Sequence, residues 1–164
     1  EKARWFNHEW IKRSPATELI DAVHPLLESH DIPARYDATL SRVIELVKDR
    51  CTLLSDFVQQ AGYFFKASDA PDLGAIQPQW TTEKADFFTA FIEKLEKHLE
   101  WNGISLELLF KETAAEKNRK PGELQLPLRI MLVGGKFGPP VFDIAAFLGK
   151  EETLRRMRQT LSML

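Results

Sequence analysis

Several things are scarce in this chain, and each scarcity excludes a class of protein. One cysteine, Cys51, in 164 residues rules out an intramolecular disulfide framework and fits a reducing compartment. No apolar run reaches the roughly 18 residues of a membrane-spanning helix, and no signal peptide opens the sequence, so no membrane role is expected and a cytoplasmic location is. Nowhere do β-branched residues alternate with polar ones over a strand length. The formal net charge of -2 gives no global basic footprint, so any contact with a polyanion must come from local patches. His8, His24, His30 and His98 lack metal-ligand spacing and a cysteine pair, so no metal site is assigned. The GGKFG run at 134–138 lacks the Gly-x4-Gly-Lys-Ser/Thr spacing and the preceding strand of a phosphate loop; Gly134 and Gly135 more simply end a helix. Glu151 and Glu152 open a helix and suit its dipole there. Cys51, beside Arg50, reads as a small apolar filler. No catalytic residues are assigned.

What is present is helical periodicity throughout, enough chain to bury roughly 70% of its unfolded surface in one core or two small ones. The pattern predicts a short helix over 3–12 with Trp5, Phe6 and Trp10 near one face, then a Ser14-Pro15 start to a second helix that Pro25 ends or kinks. After a loop at 30–33, a helix is expected over about 37–50 with Leu40, Val43, Ile44 and Val47 inward. Another is expected from Thr52 with Leu53, Leu54, Phe57 and Val58. The pattern fails over 66–79, which is poor in apolar residues and carries prolines and a glycine, so a boundary is placed near 75. Thr81 or Thr82 then caps a helix whose stripe is Phe87, Phe88, Phe91, Ile92, Leu95 and Leu99, with Asn102-Gly103 as its stop and Ser105 as the next cap. Two final helices turn Ile144, Phe147, Leu148, Leu154, Met157 and Leu161 inward, with Arg155, Arg156 and Arg158 on the wet side. The expected fold class is all-α, two small helical bundles in series, covering 1–75 and 76–164.

The most informative stretch is PGELQLPLRIMLVGGKFGPPVFDIAAFLGKEETLRRMR, at 121–158. Arg129 stands alone in an apolar helical run, and a charge there must snorkel or find a partner. A forked cation beside an irregular turn suits an unstacked base or a phosphate; it also suits an ordinary helix–turn–helix corner, and spacing alone favours the corner. This stretch resembles the C-terminal end of bacterial-type glutamyl-tRNA synthetases, in its PLR helix, Gly/Pro turn and LGKE–LRR helix. KARWFNHEWI at 2–11 is similar to the segment where that family leaves its catalytic half. LVKDRCTLLSDF at 46–57 and LFKETAAEKNRKPGELQLPLR at 109–129 fit its intermediate segments. The resemblance covers nearly the whole chain.

It implies an anticodon-binding region whose catalytic half, with its ATP, its Mg, its His-x-Gly-His-type motif and its Lys-rich loop, lies outside this chain. The chain opens on Glu1 without a methionine, and a piece of a longer protein is expected. The implied partner is the tRNA for glutamate, bound by a monomer with no cofactor of its own. By local alignment Arg50 matches the arginine that discriminates the third anticodon base. Arg129 matches a second arginine near the anticodon, and Gly138, Pro139 and Val141 match the turn that contacts a flipped base. The family often has Thr or His where this chain has Gly138, so a backbone contact is expected there and a hydroxyl contact is not. Lys117, Arg119, Lys120 and Lys136 are candidates for phosphates, although charge runs are usually solvated faces. Arg50 also suits a helix C-terminus, and Tyr63 or Phe64 suits either a base or a core. The rival class is a helical protein–protein interaction module with an apolar patch around Phe64, Phe65 and Trp80; no residue constellation supports a small helical enzyme.

Overall fold

A computed structural model describes the backbone from Lys2 to Leu164 and the side chains from Asn7 onward. The expected placements of Trp5 and Phe6 lie outside the described residues. Among those residues the regular elements are helices, with no strand, as the periodicity predicts. Two compact units divide the chain, Glu1–Lys66 and Ala67–Leu164.

The first unit holds α1 (Lys2–Arg13), α2 (Ala16–Ser29), α3 (Ala38–Val47), a 3-10 turn (Lys48–Arg50) and α4 (Asp56–Gly62). Leu19, Ile20, Val23 and Leu27 from α2 share a core with Leu40, Val43, Ile44 and Val47 from α3 and with Phe57 from α4, all buried. That packing carries α2 through Pro25, where the sequence predicts a stop or kink; burial on both sides of the proline outweighs one lost backbone bond. Ser14 does not cap α2. Its hydroxyl donates back to the Trp10 carbonyl at 2.6 Å, finishing α1 instead. Asp37 is the cap of α3, accepting from the Thr39 and Leu40 amides. The helix expected from Thr52 starts only at Asp56, because the Asp56 carboxylate folds back onto the Thr52 and Leu53 amides at 2.8 and 2.9 Å.

The second unit takes in most of the irregular stretch expected to carry the boundary near 75. Its residues from 67 onward belong here: the Asp72 amide donates to the Gly134 carbonyl at 2.9 Å, and Ile76 is buried. Four helices follow, α5 (Thr82–Lys97), α6 (Gly103–Glu116), α7 (Pro121–Val133) and α8 (Val141–Leu161). Thr81 caps α5 as one of the two expected threonines. Phe87, Phe91, Phe110 and Phe142 pack edge to face through Phe110, with ring centroids 5.2–5.4 Å from it. This aromatic centre joins α5, α6 and α8.

Three expectations in this unit are corrected. Leu99 leaves the stripe and is 93% exposed, because α5 stops at Lys97. Asn102-Gly103 starts α6 rather than stopping α5: the Asn102 side chain accepts from the Ser105 amide at 2.9 Å. Ser105 therefore is not the cap, and its hydroxyl pairs with His98 Nε2 at 2.6 Å. The two final helices the sequence predicts are the two arms of α8, 141–148 and 150–161, parted at Gly149 with φ 83° and ψ 168°.

Candidate nucleic-acid interface

The corner between α7 and α8 is a held structure. Gly134 ends α7 at φ 88°, a left-handed position that suits glycine, and its amide closes the helix on the Ile130 carbonyl. A Cβ at Gly134 would lie 2.5 Å from the Ser68 Cβ, so the 67–72 segment packs directly on this cap. A Cβ at Gly135 would lie 2.4 Å from the Phe137 ring. Gly138 stands at φ 108°, where L side chains are rare. A Thr or His at that position would be strained, which accounts for a glycine in this chain's turn. Pro139 and Val141 are buried, and Pro140 leads into α8.

Arg129 reaches across this corner. Its Nη1 donates to the carbonyls of Phe137 and Pro139, each at 2.9 Å. Arg129, Gly138, Pro139 and Val141 are therefore brought together as one piece, with Lys136 exposed on the same turn. The partner that the apolar run demands is backbone. Both readings of the stretch meet here, since the arginine builds the corner and the corner is the turn read as a base contact.

A second arginine supports the corner from below and was misplaced by sequence reasoning. Arg156, expected on the wet side with Arg155 and Arg158, is 3% exposed. Its Nη1 donates to the Leu132 carbonyl in the last turn of α7 at 2.7 Å, and its Nε to Glu152 at 2.9 Å. Arg155 also binds Glu152 through two nitrogens, and these bonds, with those from Arg156, pull the Glu152 carboxyl down to about 2. Arg155 and Arg158 are exposed as expected. The signal that could have located Arg156 was its helical spacing from Thr153 and Thr160, which share the buried side of the second arm with it.

Arg50 lies in the other unit, at the end of the 3-10 turn Lys48–Arg50. It is exposed and makes no hydrogen bond or ion pair with the described residues. The backbone around it is pinned. Lys48 Nζ donates to the Ser14 carbonyl at 3.1 Å, His8 Nδ1 donates to the Cys51 carbonyl at 2.8 Å, and Asp56 holds the next two amides. Cys51 is the apolar filler the sequence predicts: burial, with the nearby Asp56 charge, pushes its thiol up to about 12. The result is a guanidinium with no partner among the described residues, on a turn whose backbone is held by hydrogen bonds.

The remaining candidates divide. Lys117 and Lys120 are exposed at the N-terminal end of α7, while Arg119 is half-buried and faces Glu123 at 3.6 Å. The 13 residues of α7 put these about 20 Å from the Gly/Pro turn, so Lys136 alone of the four shares the corner. Tyr63 and Phe64 are buried and stacked on each other at 4.5 Å, which makes them core. Of the proposed apolar patch, Phe64 is buried, Phe65 is half-buried, and Trp80 is half-buried and stacked on Phe88. Among the described residues no cluster of His, Cys, Asp and Glu could hold a metal ion, and no helix is long and apolar enough to cross a membrane.

Comparison with known proteins identifies the architecture. The family described as anticodon binding domain matches residues 18–161. A glutamate–tRNA ligase of Porphyromonas gingivalis is 32% identical over 164 residues, covering all of this chain and 32% of the relative. A glutamate–tRNA ligase of Neisseria meningitidis serogroup B is 35% identical over 158 residues, covering 96% of this chain and 34% of the relative. The crystal structure of a glutamate tRNA ligase from Elizabethkingia meningosepticum superposes with a TM-score of 0.85 at 25% identity, over 98% of this chain and 32% of that one. The chain thus spans about a third of the length of these ligases. With an all-helical fold matched end to end and a pinned cationic turn in each unit, the chain belongs to the anticodon-binding-domain family.

Proposed function

We propose that this chain is the anticodon-binding part of a bacterial glutamate–tRNA ligase and binds the anticodon loop of the tRNA for glutamate. The family match over residues 18–161 carries this reading. Binding here would position the tRNA for ATP-dependent attachment of glutamate by a catalytic part outside the chain, to which ATP and Mg belong. A monomer working in the cytoplasm is part of the same reading.

The chemistry of discrimination follows from donor and acceptor counts. The unpaired cytosine edge at the third anticodon position of the glutamate tRNA offers two acceptors, O2 and N3, beside one amino donor. The guanine of the glutamine tRNA presents O6 with two donors, N1–H and N2–H2. Arg50 has only donors, in a planar fork, so it satisfies cytosine and leaves guanine donors unpaired. Each buried unpaired group costs about 1–3 kcal/mol, roughly tenfold to hundredfold in affinity. Gly138, Pro139 and Val141 form the second contact, a turn whose backbone meets a flipped base, with Arg129 beside it. Lys136, Lys117, Arg119 and Lys120 are the phosphate contacts this reading proposes.

Fluorescence anisotropy with a labelled glutamate-tRNA anticodon stem-loop tests the reading across a salt series. Affinity should fall steeply with salt through counterion release from single-stranded RNA. Absence of RNA binding even at low salt would contradict it and favour the interaction module.

A further inference from the structure

We propose that Arg129 is a positioning residue: it clamps the Gly/Pro turn into the shape that meets RNA, and acts through that turn rather than on a base. The proposal rests on the anticodon-binding reading. Three observations carry it. First, Arg129 is half-buried on α7 between buried Leu128 and Ile130, and its guanidinium is turned onto the following turn. Second, one nitrogen, Nη1, donates to two carbonyls two residues apart, those of Phe137 and Pro139, both at 2.9 Å. The turn is wrapped around that nitrogen, and a charge-assisted donor makes each bond stronger than a neutral one. Third, everything else at the corner restricts the same segment. Gly134 and Gly138 hold positive φ, prolines stand at 139 and 140, and Arg156 fixes the Leu132 carbonyl where α7 ends.

A turn held this way in the free protein has little conformational freedom left to lose when RNA arrives. An arginine acting directly on RNA makes a different demand. Its loss would remove a cationic contact from the interface while leaving the turn intact.

The test uses the full 164-residue chain, with Arg129→Gln and Arg129→Lys beside the parent. Amide hydrogen exchange over 135–142 in the free protein is measured together with affinity for the glutamate anticodon stem-loop as a function of salt. Arg129→Gln removes the charge and is too short to reach both carbonyls. We expect faster exchange at 135–142, roughly tenfold weaker RNA binding, and an unchanged salt slope. Arg129→Lys keeps the charge without the planar fork, and its affinity loss should scale with its own rise in exchange. Should Arg129→Gln fail to fold, the lysine variant alone decides: weaker binding with faster exchange supports the clamp. Weaker RNA binding with unchanged exchange, and a salt slope smaller by about one contact in the glutamine variant, would overturn the proposal in favour of a direct contact. Faster exchange with unchanged affinity would overturn it too, leaving a staple that does not bear on the site. If the parent chain does not bind the RNA at all, the anticodon reading fails first and is recognised as such, because the parent is measured in the same series.

Discussion

Arg50 and Arg129 carry the same side chain in opposite circumstances. Arg50 stands exposed on a short turn whose backbone is held by Lys48, His8 and Asp56, and its guanidinium has no partner among the described residues. Arg129 rises from an apolar helix and is bonded to the backbone of the turn that follows. The first unit therefore fixes the backbone around a cation that none of the described residues engages; the second uses its cation to fix the backbone. A free donor fork on a rigid base suits reading a base edge. A bonded fork suits shaping a surface. The lesson is that an arginine's role follows from where its hydrogen bonds already go.

The comparison is sharpened by removing the corner's other supports, and the largest effect should come from Arg156. Arg156→Leu deletes the bond to the Leu132 carbonyl and one of the three arginine bonds to Glu152. Urea denaturation at neutral pH should register a loss of about 3 kcal/mol. The same cluster has an acid signature. Glu152 is held at about 2 against an ordinary 4.5, so its contribution is complete above about pH 4.5 and is lost as pH falls toward 2. Glu152→Gln should flatten that part of the stability profile, and an unchanged acid limb would remove the cluster from the account.

Gly134→Ala comes next. It forces an L side chain to φ 88° and sets a Cβ 2.5 Å from that of Ser68. A destabilisation of about 2 kcal/mol is expected in thermal or urea unfolding; a neutral result would mean the corner relaxes freely, and the contrast with Arg50 would weaken.

Much of this fold was legible because amphipathic helices announce themselves. Leu40, Val43, Ile44 and Val47 are inward at helical spacing as predicted, and so are Phe87, Phe88, Phe91, Ile92 and Leu95. Boundaries were harder. Asn102, Gly103 and Ser105 are all credible terminal residues, and the choice among them depends on a side-chain bond from Asn102 that sequence does not specify. Asp56 was unreadable as the group that delays α4, since its bonds run backward to Thr52 and Leu53. The site was half legible. An isolated charge at Arg129 had to find a partner, but that its partners are carbonyls eight and ten residues on depends on the turn's path. Arg156 was misassigned because a charged residue between Arg155 and Arg158 reads as solvated, although it stands three residues after buried Thr153 and four before buried Thr160, on the inward side of its arm. Leu99 left its stripe because the helix had ended two residues earlier.

The smallest expected effect on stability, at Arg50, accompanies the most direct test of function. Arg50→Gln alters an exposed side chain with no partner among the described residues, so unfolding should shift by no more than about 0.5 kcal/mol. The decisive measurement is the affinity of the parent and of Arg50→Gln for two anticodon stem-loops, one with C and one with G at the third anticodon position. The account requires the parent to prefer C by roughly tenfold to hundredfold, and the preference to collapse in Arg50→Gln while the fold persists. Equal binding of both RNAs by the parent would contradict it.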